Sequence, residues 1–202
     1  MWASGVAGGA AAVSWWRVIG PGFVWLAGGI TLLVGAAGLG VGAGSWAAVG
    51  TAATVVAIAL GRSPDKAGVG LALASLGYLI AAAGDGGLVP SATGALLLGG
   101  VTTEMLLGHW YLVDPRLPRW ALRRLDFAAG IGVLADAASM VAREAFPWAP
   151  GDDVIGWGYV AVAVATLVLM TAVWFSLGER GYSGVMAATG LSYLAVLTAF
   201  GT

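Results

Sequence analysis

The chain contains no cysteine, which excludes disulfides, a thiolate nucleophile and iron–sulfur ligation. It has one histidine, so two histidines of the same chain cannot ligate a haem. Its single lysine, Lys66, falls in a predicted loop, which excludes a retinal Schiff base on the last predicted helix. Neither an HExxH nor a GxxxxGK[ST] motif is present. We therefore expect no catalytic residue, no metal site and no enzyme activity, and the sequence assigns no cofactor.

Charged residues are also scarce. They form 9% of the 202 residues, against about 25% in a typical soluble domain, while 59% of the residues are hydrophobic. So few charges cannot cover a water-facing surface, and the composition predicts a polytopic membrane protein whose main partner is the lipid bilayer. The net charge of −1 and the lack of a long basic run exclude a nucleic-acid partner.

Seven segments are apolar enough to be membrane-spanning helices, which need about 20 residues each. We therefore predict an all-α transmembrane bundle that forms one integral-membrane domain over residues 1–202. Six spans are the alternative, because the break 40-GVGAGSW-46 between the first two segments carries no charge. If this break is not a turn, the two segments form a re-entrant pair or one merged span. The first 16 residues lack the basic start of a signal peptide, and we expect them to be retained. The predicted spans are Val18–Leu39, Ser45–Gly61, Ala67–Gly84, Ala92–Val113, Ala121–Ala145, Val154–Leu177 and Tyr182–Phe200.

The basic residues are distributed unevenly between the two sides of this bundle. With seven spans and a cytoplasmic N-terminus, Arg143 alone lies outside, which agrees with the positive-inside rule. We therefore expect the C-terminus outside, in a multi-pass protein of a cell membrane, with the bacterial inner membrane favoured. The basic residues on the cytoplasmic side are Arg17, Arg62, Lys66, Arg116, Arg119, Arg123, Arg124 and Arg180.

Three acids lie within predicted spans. Asp126 follows Arg123 and Arg124 closely, and we interpret it as an acid at the cytoplasmic interface. Glu104 lies about 14 Å from the cytoplasmic end of the fourth span, and Asp136 lies about 16 Å from that face on the fifth. A short connection makes these two helices antiparallel neighbours, so we expect Glu104 and Asp136 to meet near the middle of the membrane.

Small residues accompany both acids. Gly100 and Gly108 share the helix face of Glu104, and Gly132 lies one turn before Asp136, so we expect close helix packing at these glycines. Three interpretations remain open for the two carboxyls. They share a proton, they hold a cation, or both are neutral and join helices by hydrogen bonds.

His109 and Tyr111 lie between Glu104 and the cytoplasmic end of the fourth span. His109 is about 140° around the helix from Glu104, which favours an interfacial histidine, with proton entry as the alternative. Tyr111 shares the face of Glu104, about two turns away. We include both as candidates that line an approach to the acid.

The leading hypothesis is a non-enzymatic membrane protein that handles protons or a proton-linked small solute through Glu104 and Asp136. It acts as a carrier or as the membrane subunit of an energy-coupling complex. The alternative is a structural subunit that packs against partner membrane proteins or further copies of itself, with bound lipid or quinone. A membrane enzyme that acts on lipid is weaker, because the arginines of 116-RLPRWALRR-124 are its only phosphate-binding candidates.

Overall fold

The computed structural model describes residues 1–114, 117–142 and 153–201. Arg116 and Arg143, which enter the charge count above, lie outside the described residues. Within those three ranges the chain forms eight helices and no strand. They are α1 (Trp2–Trp16), α2 (Pro21–Gly40), α3 (Gly44–Ala59), α4 (Pro64–Gly86), α5 (Leu88–Val113), α6 (Trp120–Ala142), α7 (Asp153–Ser176) and α8 (Tyr182–Ala199).

Six of these helices, α2 and α4 to α8, are long and apolar enough to cross a membrane. The seventh apolar helix, α3, has 16 residues and is shorter than a usual span. The chain is therefore an all-helical, multi-pass membrane protein. Each of the seven predicted spans contains one helix.

The glycine-rich break between the first two predicted spans is a turn. Gly42 and Gly44 have φ angles of 90° and 78°, a backbone conformation that favours glycine. Because the chain reverses there, α2 and α3 are two separate helices. The first two predicted spans therefore do not form one merged span.

Helix α1 was not among the predicted spans. Its 15 residues are mostly glycine and alanine, and an isolated helix of this length is marginal. In the structure it lies in the centre of the bundle, where Val6, Ala7, Ala10 and Val13 are fully buried. Packing against its neighbours, rather than its own hydropathy, stabilises α1.

Helix α1 also determines at which end of the bundle the N-terminus lies. The rings of Trp2 and Phe200 meet edge to face, with centroids 4.7 Å apart. The start of α1 and the end of α8 thus lie at the same end of the bundle. The expectation of termini on opposite sides is corrected, because α1 adds one more pass through the bundle.

The basic residues gather at the opposite end of the bundle, which we call the basic end. Arg17 pairs there with Asp65, and Arg119 donates hydrogen bonds to backbone carbonyls of the α7–α8 connection. Successive antiparallel helices bring these segments together. The described basic residues at this end are Arg17, Arg62, Lys66, Arg119 and Arg180, and Arg123 and Arg124 follow further inward along α6.

The eight helices form two halves, α1–α4 and α5–α8, which meet mainly where α1 packs against α5. The two backbones touch at Gly5 and Gly99: a Cβ at Gly5 would lie 2.0 Å from the carbonyl oxygen of Ala95. One turn further, Gly9 faces Thr103, so α1 and α5 run parallel. Only glycine allows so close an approach.

Candidate functional site

Glu104 lies on α5, about 5 Å from the midpoint of that helix. It is completely buried, and neither of its carboxyl oxygens accepts a hydrogen bond at normal distance and geometry. Its polar neighbour is Ser192 of α8, whose hydroxyl donates to the carbonyl oxygen of Ala188 at 2.8 Å and can therefore only accept a hydrogen bond from Glu104. The glycines one turn to each side set its surroundings, because Gly100 packs against Ala129 of α6 and Gly108 against Thr189 of α8. Glu104 therefore faces the space between α6 and α8.

Asp126 of α6 lies level with Glu104. The antiparallel register of α5 and α6 is given by two contacts, Gly100 on Ala129 and Gly132 on Leu97. Continuing this register by one helical turn places Glu104 opposite the turn that carries Asp126. Negative charges on both acids would therefore repel each other. Asp126 is 3% exposed, and its Oδ1 atom has no hydrogen-bond partner.

The unpartnered buried atoms of the described side chains are concentrated around these acids. The set comprises Thr103 Oγ1, both oxygens of Glu104, Arg123 Nε and Asp126 Oδ1. Buried polar groups are normally hydrogen-bonded, and each unpartnered one costs about 1–3 kcal/mol. Five such atoms on α5 and α6 identify this part of the bundle as the candidate site.

Asp136 lies elsewhere. It accepts hydrogen bonds from Thr93 Oγ1 at 3.1 Å and from Tyr159 Oη at 3.3 Å, so it joins α5, α6 and α7 near the end opposite the basic end. Thr93 precedes Glu104 by eleven residues, or about 16 Å along α5. The structure therefore does not bring Glu104 and Asp136 together.

The depth of α6 explains this correction. In the observed register Arg124 lies opposite Met105, eight residues or about 12 Å inward from the end of α5 at Val113. The Arg124 guanidinium rests over the rings of Trp16 and Trp120, at 5.7 and 4.6 Å from their centroids. Aromatic faces stabilise a cation where water is scarce. The prediction for Asp136 takes Arg124 as the position of the membrane surface. Because Arg124 lies deeper than that, the prediction places Asp136 too close to the basic end.

His109 and Tyr111 both lie at the basic end of α5. The side chain of His109 is exposed on the outside of the bundle. Tyr111 is completely buried, and its hydroxyl donates a hydrogen bond to the carbonyl oxygen of Pro118 in the α5–α6 connection. The hydroxyl of Tyr111 thus holds this connection against α5, and the structure places neither residue beside Glu104.

The three packing glycines lie at helix contacts. A Cβ at Gly132 would approach the backbone nitrogen of Leu97 to 2.5 Å, and one at Gly100 would lie 2.9 Å from Ala129 Cα. At Gly108 the nearest atom is Thr189 Oγ1, at 2.9 Å. These contacts hold α6 and α8 close to α5 around Glu104.

A sequence pattern that could have identified Asp126 is the run of small residues on one face of α6. Asp126, Ala129 and Val133 recur at intervals of three and four residues and are all buried. Pairing this face with Gly100 on α5 would have set the register. The arginines just before Asp126 instead favour the interpretation of Asp126 as an acid at the cytoplasmic interface.

The described residues contain no group of three or more histidine, cysteine or carboxylate side chains that could hold a metal ion. Comparison with protein-family models, with curated proteins and with solved structures finds no match to this chain. The candidate site is therefore interpreted from its own chemistry.

Proposed function

We propose that this protein handles protons, or a proton-linked small solute, through Glu104 and Asp126 inside the membrane. The observation that carries the proposal is the complete burial of Glu104, whose carboxyl oxygens accept no hydrogen bond and whose polar neighbour Ser192 donates its own hydrogen bond to Ala188. A carboxyl in this position that only joined helices would be expected to form a hydrogen bond across them. Asp136 is bonded in that way to two other helices, and Glu104 is not.

The pair has the chemistry for proton transfer. Among the described residues the one salt bridge joins Arg17 and Asp65, so Glu104 forms no ion pair with any of them. A proton is then the simplest group that neutralises a carboxylate at this depth. A second carboxyl close by couples the two protonation states, because a negative charge on one acid favours the protonated form of the other.

The proposal also assigns an orientation. Under the positive-inside rule the basic end faces the cytoplasm, and both termini then lie outside. We infer eight crossings, with α1 crossing inside the bundle, in a cell membrane such as the bacterial inner membrane. The protein would act as a carrier or as the membrane subunit of an energy-coupling complex.

The direct test is proton flux in vesicles that contain the purified protein, followed with an internal pH dye under an imposed gradient. We expect Glu104→Gln and Asp126→Asn to lower the flux at least about tenfold, because each removes an exchangeable proton. Asp136→Asn is the matched control, and its flux should stay within about twofold of the wild type because Asp136 is hydrogen-bonded elsewhere.

Folding is checked on the same samples by thermal unfolding. Wild-type flux in a folded Glu104→Gln protein would reject the proposal. It would favour a structural membrane subunit that packs against partner proteins, which was the alternative at the level of the sequence.

A further inference from the structure

A groove runs between α6 and α7 on the outer face of the bundle. Its cavity volume is about 380 Å³, and its walls are almost entirely apolar. Aromatic and aliphatic side chains line it from both helices, including Phe127, Ile131, Met170, Trp174 and Phe175. Phe127, Ile131 and Phe175 are exposed on the surface of the chain, so the groove opens toward lipid.

The polar end of this groove is formed by the candidate site. Asp126 lines the groove, and its buried Oδ1 atom lacks a hydrogen-bond partner. One turn earlier on α6, Arg123 lies over the ring of Trp174, 5.1 Å from its centroid, with a buried Nε that also lacks a partner. An unsatisfied acid thus lies at one end of an apolar groove, and Arg123 lies next to that end, against Trp174, without lining the groove itself.

We propose that the groove binds a neutral, lipid-soluble molecule of the quinone or quinol class. The head ring of such a molecule carries oxygens that exchange a hydrogen bond with Asp126, while the guanidinium of Arg123 lies one helical turn away. Its flat ring packs against the aromatic walls, and its apolar tail follows the groove into the lipid. The proposal deepens the proposed function, on which it rests for any link between this ligand and the proton on Asp126.

Charge argues against other membrane-soluble ligands. Asp126 and Arg123 lie one helical turn apart, so an ionic ligand that is attracted by one of them is repelled by the other. A neutral head avoids both repulsions. A diacylglycerol is also neutral, but it lacks a flat ring to stack between the aromatic side chains.

Gly130 allows the groove to be blocked without disturbing the fold. It lines the groove, and a Cβ at this position would have no atom within 4 Å, so a leucine side chain can extend into the free space. Gly190 of α8 provides the matched control, because its Cβ position is equally free and it lies outside the groove.

The experiment is equilibrium binding of a short-tailed benzoquinone and its quinol to the full chain in lipid nanodiscs. We expect saturable binding that Gly130→Leu weakens at least about tenfold, whereas Gly190→Leu leaves the affinity within about twofold of the wild type. Asp126→Asn should also weaken binding of the quinol. Equal affinity in the wild type and the Gly130→Leu variant would overturn the proposal, as would tighter binding of a lipophilic cation, a fatty acid or a diacylglycerol.

The two proposals can fail separately. Probe binding that depends on Gly130, together with wild-type proton flux in Glu104→Gln, would keep the groove and remove the proton role. Loss of flux in Glu104→Gln without probe binding would keep the proton role and remove this ligand.

Discussion

The two halves of the bundle have the same arrangement of helices and different interiors. In each half four helices form a ring in which the first packs against the second and the fourth, and the two first helices, α1 and α5, meet at the centre. The described buried polar groups of α1–α4 are hydroxyls. Those of Ser14, Thr31 and Thr54 all donate hydrogen bonds to carbonyls of their own helices. The half formed by α5–α8 adds two buried acids, Glu104 and Asp126.

The buried hydroxyls of the first half and the buried acids of the second differ in what they cost the fold. A hydroxyl that bonds its own helix is satisfied wherever the helix is placed, so it adds little cost to a membrane bundle. A buried carboxyl without a partner reduces stability, and proteins retain such groups mainly at functional sites. The comparison therefore supports placing the proposed function in the second half and a scaffold role in the first.

The largest effect is expected where the two halves touch. Gly5→Ala would place a methyl group 2.0 Å from the Ala95 carbonyl oxygen and force α1 away from α5. We expect a loss of about 3 kcal/mol or more in the free energy of unfolding. The measurement is thermal unfolding of the detergent-solubilised protein.

Gly29→Ala is the control for this substitution. A Cβ at Gly29 meets no atom within 4 Å, so alanine should be neutral or should stabilise α2 by up to about 1 kcal/mol. If Gly5→Ala and Gly29→Ala unfold at the same temperature, the contact between the α1 and α5 backbones does not hold the two halves together.

The second prediction sharpens the contrast between the two interiors. Glu104→Leu replaces an unpartnered carboxyl with an apolar side chain, and we expect it to raise the free energy of unfolding by about 1–3 kcal/mol while proton flux is lost. Thr54→Val in the first half removes a satisfied hydroxyl and should change stability by less than about 1 kcal/mol. Thermal unfolding of both variants is the measurement, and a destabilised Glu104→Leu would mean that the carboxyl contributes to the fold.

The smallest effect concerns the two kinds of acid within the second half. Asp136→Ala removes the hydrogen bonds from Thr93 and Tyr159, and we expect a loss of about 1 kcal/mol in the free energy of unfolding with flux retained. Asp136→Asn keeps an acceptor oxygen and should lose less. Urea unfolding of the wild type, Asp136→Ala and Asp136→Asn tests this order. Loss of proton flux in Asp136→Ala would show that Asp136 belongs to the functional site.

The amino-acid sequence by itself determined the helical membrane character, the gathering of basic residues at one end, and the place of Glu104 near the middle of an apolar helix. These features are local, because hydropathy, helix length and loop composition are properties of single segments. They hold whichever way the helices pack.

Only the tertiary structure decided which residues meet. Helix α1 is too short and too rich in glycine to be recognised as a span, and it is stabilised by packing in the centre of the bundle. The placement of Asp126 level with Glu104 depends on how deeply α6 lies beside α5. That register is set by the contacts of Gly100 and Gly132 and by the tryptophan rings under Arg124, which are interactions between helices that no single segment encodes.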